Sequence, residues 1–118
     1  ILLVEDHEPT RLTLARLLTR RGYRVSCADS VAAARDLAAH DQFDLVTSDI
    51  GLPDGSGHEL MTELHRDYHL TGIALSGYGM EEDIQRSLAS GFAAHLTKPV
   101  DMESLLHAIT DLEEHPVA

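Results

Sequence analysis

Five short apolar runs constrain the fold of this chain more than any other feature of its 118 residues. Most of them lack the alternation of apolar and polar residues that is typical of a strand with one solvent-exposed face. Such continuous runs are typical of strands that are buried on both faces of a parallel sheet. The runs are Ile1–Val4, Arg24–Ala28, Asp44–Ser48, Gly72–Ser76 and Ala94–Leu96. A sheet of this kind requires helices on both of its faces.

The segments between and after the runs have helical periodicity. Their apolar stripes are Leu14, Leu17 and Leu18; Val31, Ala34, Leu37 and Ala38; Leu60, Met61 and Leu64; Ile84 and Leu88; and Leu105, Leu106, Ile109 and Leu112. Residues that suit helix ends flank these stripes, namely Ser30, Asp101 and the Ser56–Glu59 pair at starts and Gly22 and Gly91 at stops. Only residues 115–118 look like a loose end.

Strand and helix therefore alternate five times along the chain. Because crossovers between parallel strands are right-handed, such a chain forms a doubly wound, three-layer (βα)5 sandwich. We predict an α/β fold with a five-stranded parallel sheet in the order 2-1-3-4-5. The chain opens directly on a strand and without Met, so we expect residues 1–118 to be one domain of a longer protein.

The composition disfavours several classes of function. A net charge of −11 repels phosphate backbones, so we expect no nucleic-acid contact by this domain. No apolar run approaches the roughly 20 residues of a membrane-spanning helix, and we expect no membrane contact here, although the parent protein can be anchored elsewhere. The single Cys27 fits the reducing cytoplasm, and its apolar neighbours predict a small buried side chain rather than a reactive thiol.

Five polar residues stand where the runs end. Glu5 and Asp6 follow the first run, Asp49 follows the third, Ser76 closes the fourth and Lys98 follows the fifth. Each of them alone is most simply a helix cap, a turn residue or a surface charge. Together they meet at the carboxyl edge of the sheet, where ligands bind in open α/β folds.

Three carboxylates in one crevice repel one another unless a proton or a cation neutralises them. Mg²⁺ prefers oxygen ligands and is usually held by one or two carboxylates together with phosphate. The sequence has no GxxxxGK[ST] loop, no HExxH motif and no Cys/His cluster, so nucleotide-loop and zinc chemistry lack support. The sequence therefore predicts a magnesium site at this edge.

Four stretches of the sequence resemble the signature blocks of two-component receiver domains. They are ILLVEDH, DLVTSDIGLPDGSG, IALSGYG and HLTKPV, and the resemblance covers essentially the whole chain. It implies a flavodoxin-like fold and a signalling module that accepts a phosphoryl group. Such a module helps to catalyse its own phosphorylation and hydrolysis without being a conventional turnover enzyme.

The resemblance also implies a role for each residue of the crevice. Asp49 takes the phosphoryl group from a phosphohistidine, and Lys98 and Ser76 bind phosphoryl oxygens. The implied ligands of Mg²⁺, for which Mn²⁺ can substitute, are Asp6, Asp49, the backbone carbonyl of Gly51 and, through water, Glu5. The Lys98–Pro99 peptide is expected to be cis, a form that only X–Pro bonds adopt cheaply.

Signalling in the family follows from movement of the hydroxyl residue, here Ser76, toward the phosphoryl group. The loop 77–80 moves with it, and an aromatic residue three positions before the lysine then changes place. Here that position is His95, which departs from the usual Tyr or Phe. Two interpretations stay open: His95 weakens the switch or couples it to pH, or it is merely a half-buried edge residue.

The implied partner is a histidine kinase or a histidine phosphotransfer domain, and a homodimer through the fourth and fifth helices is a further option in the family. The parent is a hybrid sensor histidine kinase or a response regulator. One alternative is a pseudo-receiver that binds proteins without being phosphorylated. Another is a phosphatase with an aspartyl nucleophile, which is disfavoured because such enzymes carry a second Asp where this chain has Gly51.

Overall fold

The computed structural model describes residues 1–114, and the expected loose end at residues 115–118 lies outside them. None of the described helices is long and apolar enough to cross a membrane. The elements in chain order are β1 (Leu2–Val4), α1 (Glu8–Arg20), β2 (Ser26–Ala28), α2 (Val31–His40), β3 (Val46–Asp49), β4 (Gly51–Leu52), β5 (Gly55–Ser56), α3 (Gly57–Tyr68), β6 (Gly72–Ser76), α4 (Glu81–Ala89), β7 (Phe92–Thr97) and α5 (Met102–Glu114).

The main sheet has five parallel strands in the order β2-β1-β3-β6-β7. The strands β4 and β5 form a separate antiparallel hairpin. With that hairpin left out of the count, the order is 2-1-3-4-5, and the predicted fold class is confirmed. Successive strands are added on one side of β1 and then on the other, so the strand order reverses between β1 and β3. This switch point lies beside Glu5 and Asp49.

Successive residues of the strands face opposite helix layers. In β1, Leu2 and Val4 pack in one cluster with residues of α2 and α3, while Leu3 packs in another with residues of α1 and α5. Both clusters contain side chains with no exposed surface. The runs therefore lack alternation because each face of the sheet is covered by a layer of helices.

Ser30, Asp101 and Gly91 act at helix ends as expected, whereas Ser56 accepts from the His58 amide at 3.1 Å without the reciprocal bond from Glu59 that a capping box requires. The Ser30 hydroxyl accepts a hydrogen bond from the Ala33 amide at 3.1 Å, and the Asp101 carboxylate accepts one from the Ser104 amide at 2.7 Å. Gly91, after α4, has a φ of +112°, a conformation that side-chain-bearing residues rarely adopt. These caps fix where α2, α4 and α5 begin and end.

The expectation that Cys27 is buried is wrong. Cys27 is exposed, because β2 is an edge strand and has only β1 as a neighbour. Partial burial nevertheless raises the pKa of its thiol. Leu88 is 43% exposed, and the residue that α4 buries fully is the polar Ser87.

The hairpin after β3 was not predicted. Its turn places Asp54 over the start of α2, where the two carboxylate oxygens accept hydrogen bonds from the Val31 amide at 2.8 Å and the Ala32 amide at 3.0 Å. These bonds lower the pKa of Asp54. The segment that follows Asp49 is thereby tied to α2.

Candidate functional site

Four strand ends meet in one crevice, and a lysine joins them. Lys98, which follows β7, places its Nζ atom 3.0 Å from Oδ2 of Asp49 and 3.3 Å from Oε2 of Glu5. Its backbone amide donates a hydrogen bond to the carbonyl of Ser76 at 2.6 Å. The ends of β1, β3, β6 and β7 are thus joined at the edge where the sequence predicts a site.

The crevice holds buried charge. Glu5 has no exposed surface and Asp49 is 8% exposed. Burial raises the pKa of Glu5, and the negative charge of Asp49 raises it further. Burial alone would lower the pKa of Lys98, but its hydrogen bond to Asp49 and the charges of Asp49 and Glu5 raise it overall. The two buried carboxylates therefore favour a positive charge in the crevice.

Glu5, Asp6 and Asp49 form an acidic cluster. Each offers a carboxylate oxygen, and these oxygens all lie within 4.8 Å of one another. Asp6 is exposed at the mouth while Glu5 and Asp49 are buried. An all-oxygen set that is open on one side suits a hard divalent cation that keeps some of its waters, so these residues fit Mg²⁺.

Backbone amides hold the two buried carboxylates in place. The amide of His7 donates to Oε1 of Glu5 at 3.1 Å, and the amide of Ile50 donates to Oδ1 of Asp49 at 3.0 Å. Asp49 thus presents Oδ2 toward Lys98. It is the last residue of β3, rather than the first residue after it.

Gly51 and Gly57 flank this carboxylate in different ways. Gly51, two residues after Asp49, is exposed, and a Cβ atom there would meet nothing within 4 Å. At Gly57, a Cβ atom would collide with the backbone carbonyl of Asp49. Gly57 is therefore needed for the close approach of α3 to β3, a requirement that the sequence analysis missed.

Arg11 was also missed. Helical periodicity in α1 assigns it to the water-facing side, yet its Nη1 atom donates to the backbone carbonyl of Glu5 at 3.0 Å. It lies 3.5 Å from the carbonyl of Asp6. The available signal was its position. Arg11 lies in the first turn of α1, where a long basic side chain can reach back to the acidic pair Glu5 and Asp6.

Ser76 and His95 line the same cavity as Asp49. The Ser76 hydroxyl accepts a hydrogen bond from the Tyr78 amide at 3.0 Å, so its own hydrogen remains available to donate. Nε2 of His95 lies 2.9 Å from the Tyr78 carbonyl. The Lys98–Pro99 peptide bond is cis.

A cavity of about 550 Å³ joins these groups. Its lining includes Asp49, Gly51, Ser76, His58 and His95. The residues that the sequence assigns to the crevice are therefore close together. Glu5 and Asp6 form the acidic cluster with Asp49, and Lys98 contacts that cluster. Gly51, Ser76 and His95 line the cavity with Asp49. The polar lining residues His58, Asp83 and Arg86 were not assigned to the site from the sequence.

Comparisons with known proteins agree with this geometry. The family model of the response regulator receiver domain matches residues 1–110. The response regulator protein FleR of Pseudomonas aeruginosa is 33% identical over 100% of this chain and 27% of FleR. The sensor histidine kinase RcsC of Escherichia coli is 32% identical over 93% of this chain and 12% of RcsC. The chain spans only a minor part of each of these two relatives.

A solved structure shares the whole architecture. The response regulator protein TrrA of Thermotoga maritima, in complex with Mg²⁺-BeF, has a TM-score of 0.84 and 25% identity, and the match covers 94% of this chain and 96% of TrrA. Fold, motifs and family match all agree. The chain belongs to the response-regulator receiver domains of two-component systems, a family of phosphoacceptor modules.

Proposed function

We propose that Asp49 accepts a phosphoryl group from a phosphohistidine in a reaction that depends on Mg²⁺. The observation that carries this proposal is the 3.0 Å contact between Oδ2 of Asp49 and Nζ of Lys98, with Glu5 and Asp6 alongside. A carboxylate oxygen, a fixed ammonium group and a cluster of oxygen ligands are the parts that phosphoryl transfer requires.

The transfer breaks one bond and forms one. A carboxylate oxygen of Asp49 attacks phosphorus in line with the imidazole nitrogen; the P–O bond forms, the P–N bond breaks, and the imidazole leaves. Lys98 pairs with one phosphoryl oxygen, and the free hydroxyl hydrogen of Ser76 donates to another. These contacts orient the group and offset its charge.

The acidic cluster supports a metal requirement. Asp6 and Asp49 would hold Mg²⁺ through their carboxylates, Gly51 through its backbone carbonyl and Glu5 through water, and Mn²⁺ could substitute. When bound, the cation neutralises charge on the carboxylates and on the phosphoryl oxygens. The complex of TrrA with Mg²⁺-BeF supports the same requirement here by similarity.

Phosphorylation would switch the loop 77–80. The Ser76 hydroxyl holds the Tyr78 amide in this structure, and it would release that amide on turning toward a phosphoryl oxygen. His95 holds the Tyr78 carbonyl and would have to follow. Loop position is therefore the proposed output of the site, with Ser76 and His95 as the switch residues.

The phosphodonor is proposed to be a histidine kinase or a histidine phosphotransfer domain, in the cytoplasm. The parent protein is proposed to be a hybrid sensor histidine kinase or a response regulator, since the relatives include a sensor histidine kinase and a response regulator. Residues 1–118 would form one receiver domain of that protein, with dimerisation through α4 and α5 as a further proposed contact.

Intact mass after incubation with Mg²⁺ and a small acyl-phosphate donor tests the proposal. We expect the wild type to gain one phosphoryl group, and Asp49→Asn or prior addition of EDTA to abolish the gain. Asp44→Asn is the matched control, because Asp44 is exposed and lies before β3; it should label normally. A wild type that neither labels nor binds beryllofluoride would favour the pseudo-receiver. Turnover of a phosphomonoester would favour the phosphatase.

A further inference from the structure

A chain of hydrogen bonds connects α3, α4 and β7 beside the phosphoacceptor cavity. Nε2 of His58 lies 3.1 Å from the Ser87 hydroxyl, and that hydroxyl lies 2.8 Å from Nδ1 of His95. Ser87 has no exposed surface. Of the described residues of α4 it is the only fully buried one, and its hydroxyl joins this helix to α3 and β7.

The Tyr78 carbonyl gives the chain a direction. A carbonyl oxygen can only accept, so Nε2 of His95, 2.9 Å away, carries a hydrogen. In neutral His95, Nδ1 is then an acceptor, and the Ser87 hydroxyl donates to it. Ser87 in turn accepts from Nε2 of His58. We write this one-directional arrangement as the His58–Ser87–His95 relay.

The relay can take up one proton without losing a hydrogen bond. If His95 gains a hydrogen on its Nδ1, the Ser87 hydroxyl can accept a hydrogen bond from that N–H group. The hydroxyl then turns and donates to Nε2 of His58, and the hydrogen of the neutral His58 ring lies on the Nδ1 atom of that ring. A second proton would leave Ser87 between two N–H donors with no acceptor for its own hydrogen. The two histidines are therefore expected to titrate as a coupled pair.

Charged groups of β3 and of α4 itself share a cavity with the relay. Asp49 of β3 and both Asp83 and Arg86 of α4 line the same cavity as the two histidines, as does the loop residue Tyr78. Burial lowers the pKa of His58, and the charges of Arg86 and His95 lower it further while Asp83 opposes them. These effects together favour the neutral form of the His58 ring.

The Tyr78 peptide joins the relay to the phosphoacceptor site. Its amide is bound by Ser76 and its carbonyl by His95. We propose that Ser87 and His58 are positioning residues that set the hydrogen-bonding form of His95, so that protonation of the relay and phosphorylation of Asp49 are linked. This inference rests on the proposed function and adds regulation by pH to it.

The sign of the linkage follows from charge. A phosphoryl group on Asp49 adds negative charge to the cavity that both histidines line, so it favours the protonated relay. Because linkage is reciprocal, acid must favour the phosphorylated form. Beryllofluoride is a mimic of the phosphoryl group. We expect its affinity to increase by about fivefold more between high and low pH in the wild type than in a variant that lacks the relay. A factor of about five is at the lower end of typical allosteric couplings.

Nitrogen-15 NMR of the histidine rings, with and without Mg²⁺ and beryllofluoride, tests the inference. In the free protein we expect His95 to carry its hydrogen on Nε2, and we expect the lowered pKa of His58 to rise when beryllofluoride binds. In Ser87→Ala the two rings should titrate independently and the fivefold factor should disappear, while Ser87→Thr should restore both. His40, which is exposed at the end of α2, is the internal control and should not respond.

The outcomes separate the two proposals. Beryllofluoride binding that leaves both histidine titrations unchanged, or a Ser87→Ala protein with wild-type coupling, would overturn the relay and leave phosphorylation of Asp49 intact. A wild type that binds no beryllofluoride and does not label would overturn the proposed function, and the linkage with it. His95 with its hydrogen on Nδ1 would overturn the assigned direction.

Discussion

The middle of the sheet and its carboxyl edge both contain fully buried side chains, but burial has opposite effects on the free energy at the two places. Leu3 and Ile73 in the middle have no exposed surface, and neither has Glu5 at the edge. In the middle, burial removes apolar surface from water and is favourable. At the edge, burial opposes the charge of Glu5 and raises its pKa. Stability therefore comes from the middle, and the edge retains charged groups whose arrangement fits a divalent cation.

The largest effect should come from the middle. Ile73→Ala removes a fully buried side chain from β6 and should lower the free energy of unfolding by about 2–5 kcal/mol, as measured by urea denaturation. Leu12→Ala is the control, because Leu12 is 51% exposed and its loss should change little. Equal losses for the two variants would contradict the assigned core.

A second substitution tests whether polarity within the middle is unfavourable. Oγ1 of Thr47 is the one buried side-chain polar atom of the described residues that lacks a hydrogen-bond partner. Thr47→Val should raise the free energy of unfolding by about 1–2 kcal/mol, because it removes an unsatisfied group at nearly constant shape. Ser48→Ala should do the opposite, since the Ser48 hydroxyl donates to the Asp49 carbonyl. A loss of stability in Thr47→Val would refute this assignment.

An exposed carboxylate with two amide donors, Asp54, should stabilise the fold, in contrast to the buried Glu5. Asp54→Ala removes the two bonds to the start of α2 and should destabilise the protein by less than Ile73→Ala does. Because the pKa of Asp54 is lowered in the folded state, its contribution is present above the unfolded pKa and is lost as the pH falls through the folded value. Thermal unfolding of both proteins from neutral pH down to acid pH measures this; a difference that grows toward acid would contradict it.

The smallest expected effect on stability is a gain at the edge. The raised pKa of Glu5 means that the folded state holds this proton more tightly than the unfolded chain does. The cost of ionisation therefore appears as the pH rises past the unfolded pKa and is complete above the folded one. In buffer without Mg²⁺, Glu5→Gln should be more stable than wild type at neutral pH and similar at acid pH. A less stable Glu5→Gln at neutral pH would show that the pair with Lys98 outweighs burial.

The sequence was sufficient for the sheet order and for the place of the acidic crevice. Both follow from strand ends, since parallel strands align their carboxyl ends whatever the details of packing. Glu5, Asp49 and Lys98 could therefore be assigned to one edge from their positions after apolar runs. Ser30 and Asp101 could be assigned as caps because a cap depends on residues only a few positions away.

Features that depend on tertiary neighbours could not be predicted. Cys27 lies in an apolar run but is exposed, because its strand is at the edge of the sheet. Ser87 looks like a surface residue of α4, and only packing against His58 and His95 gives it a buried role. The long-range cap by Asp54 joins residues 22 or 23 positions apart, which no local pattern specifies; the turn residues around it were the available signal.

Mapping the phosphorylated residue tests the central claim most directly. An acyl phosphate on aspartate is reduced by borohydride to the alcohol, which converts that residue into homoserine. The wild type should be treated with Mg²⁺ and an acyl-phosphate donor, reduced, digested and sequenced by mass spectrometry. We expect homoserine at position 49 alone, and none when EDTA precedes the donor. Homoserine at Asp6, Asp44 or Asp54 with an unmodified Asp49 would contradict the account.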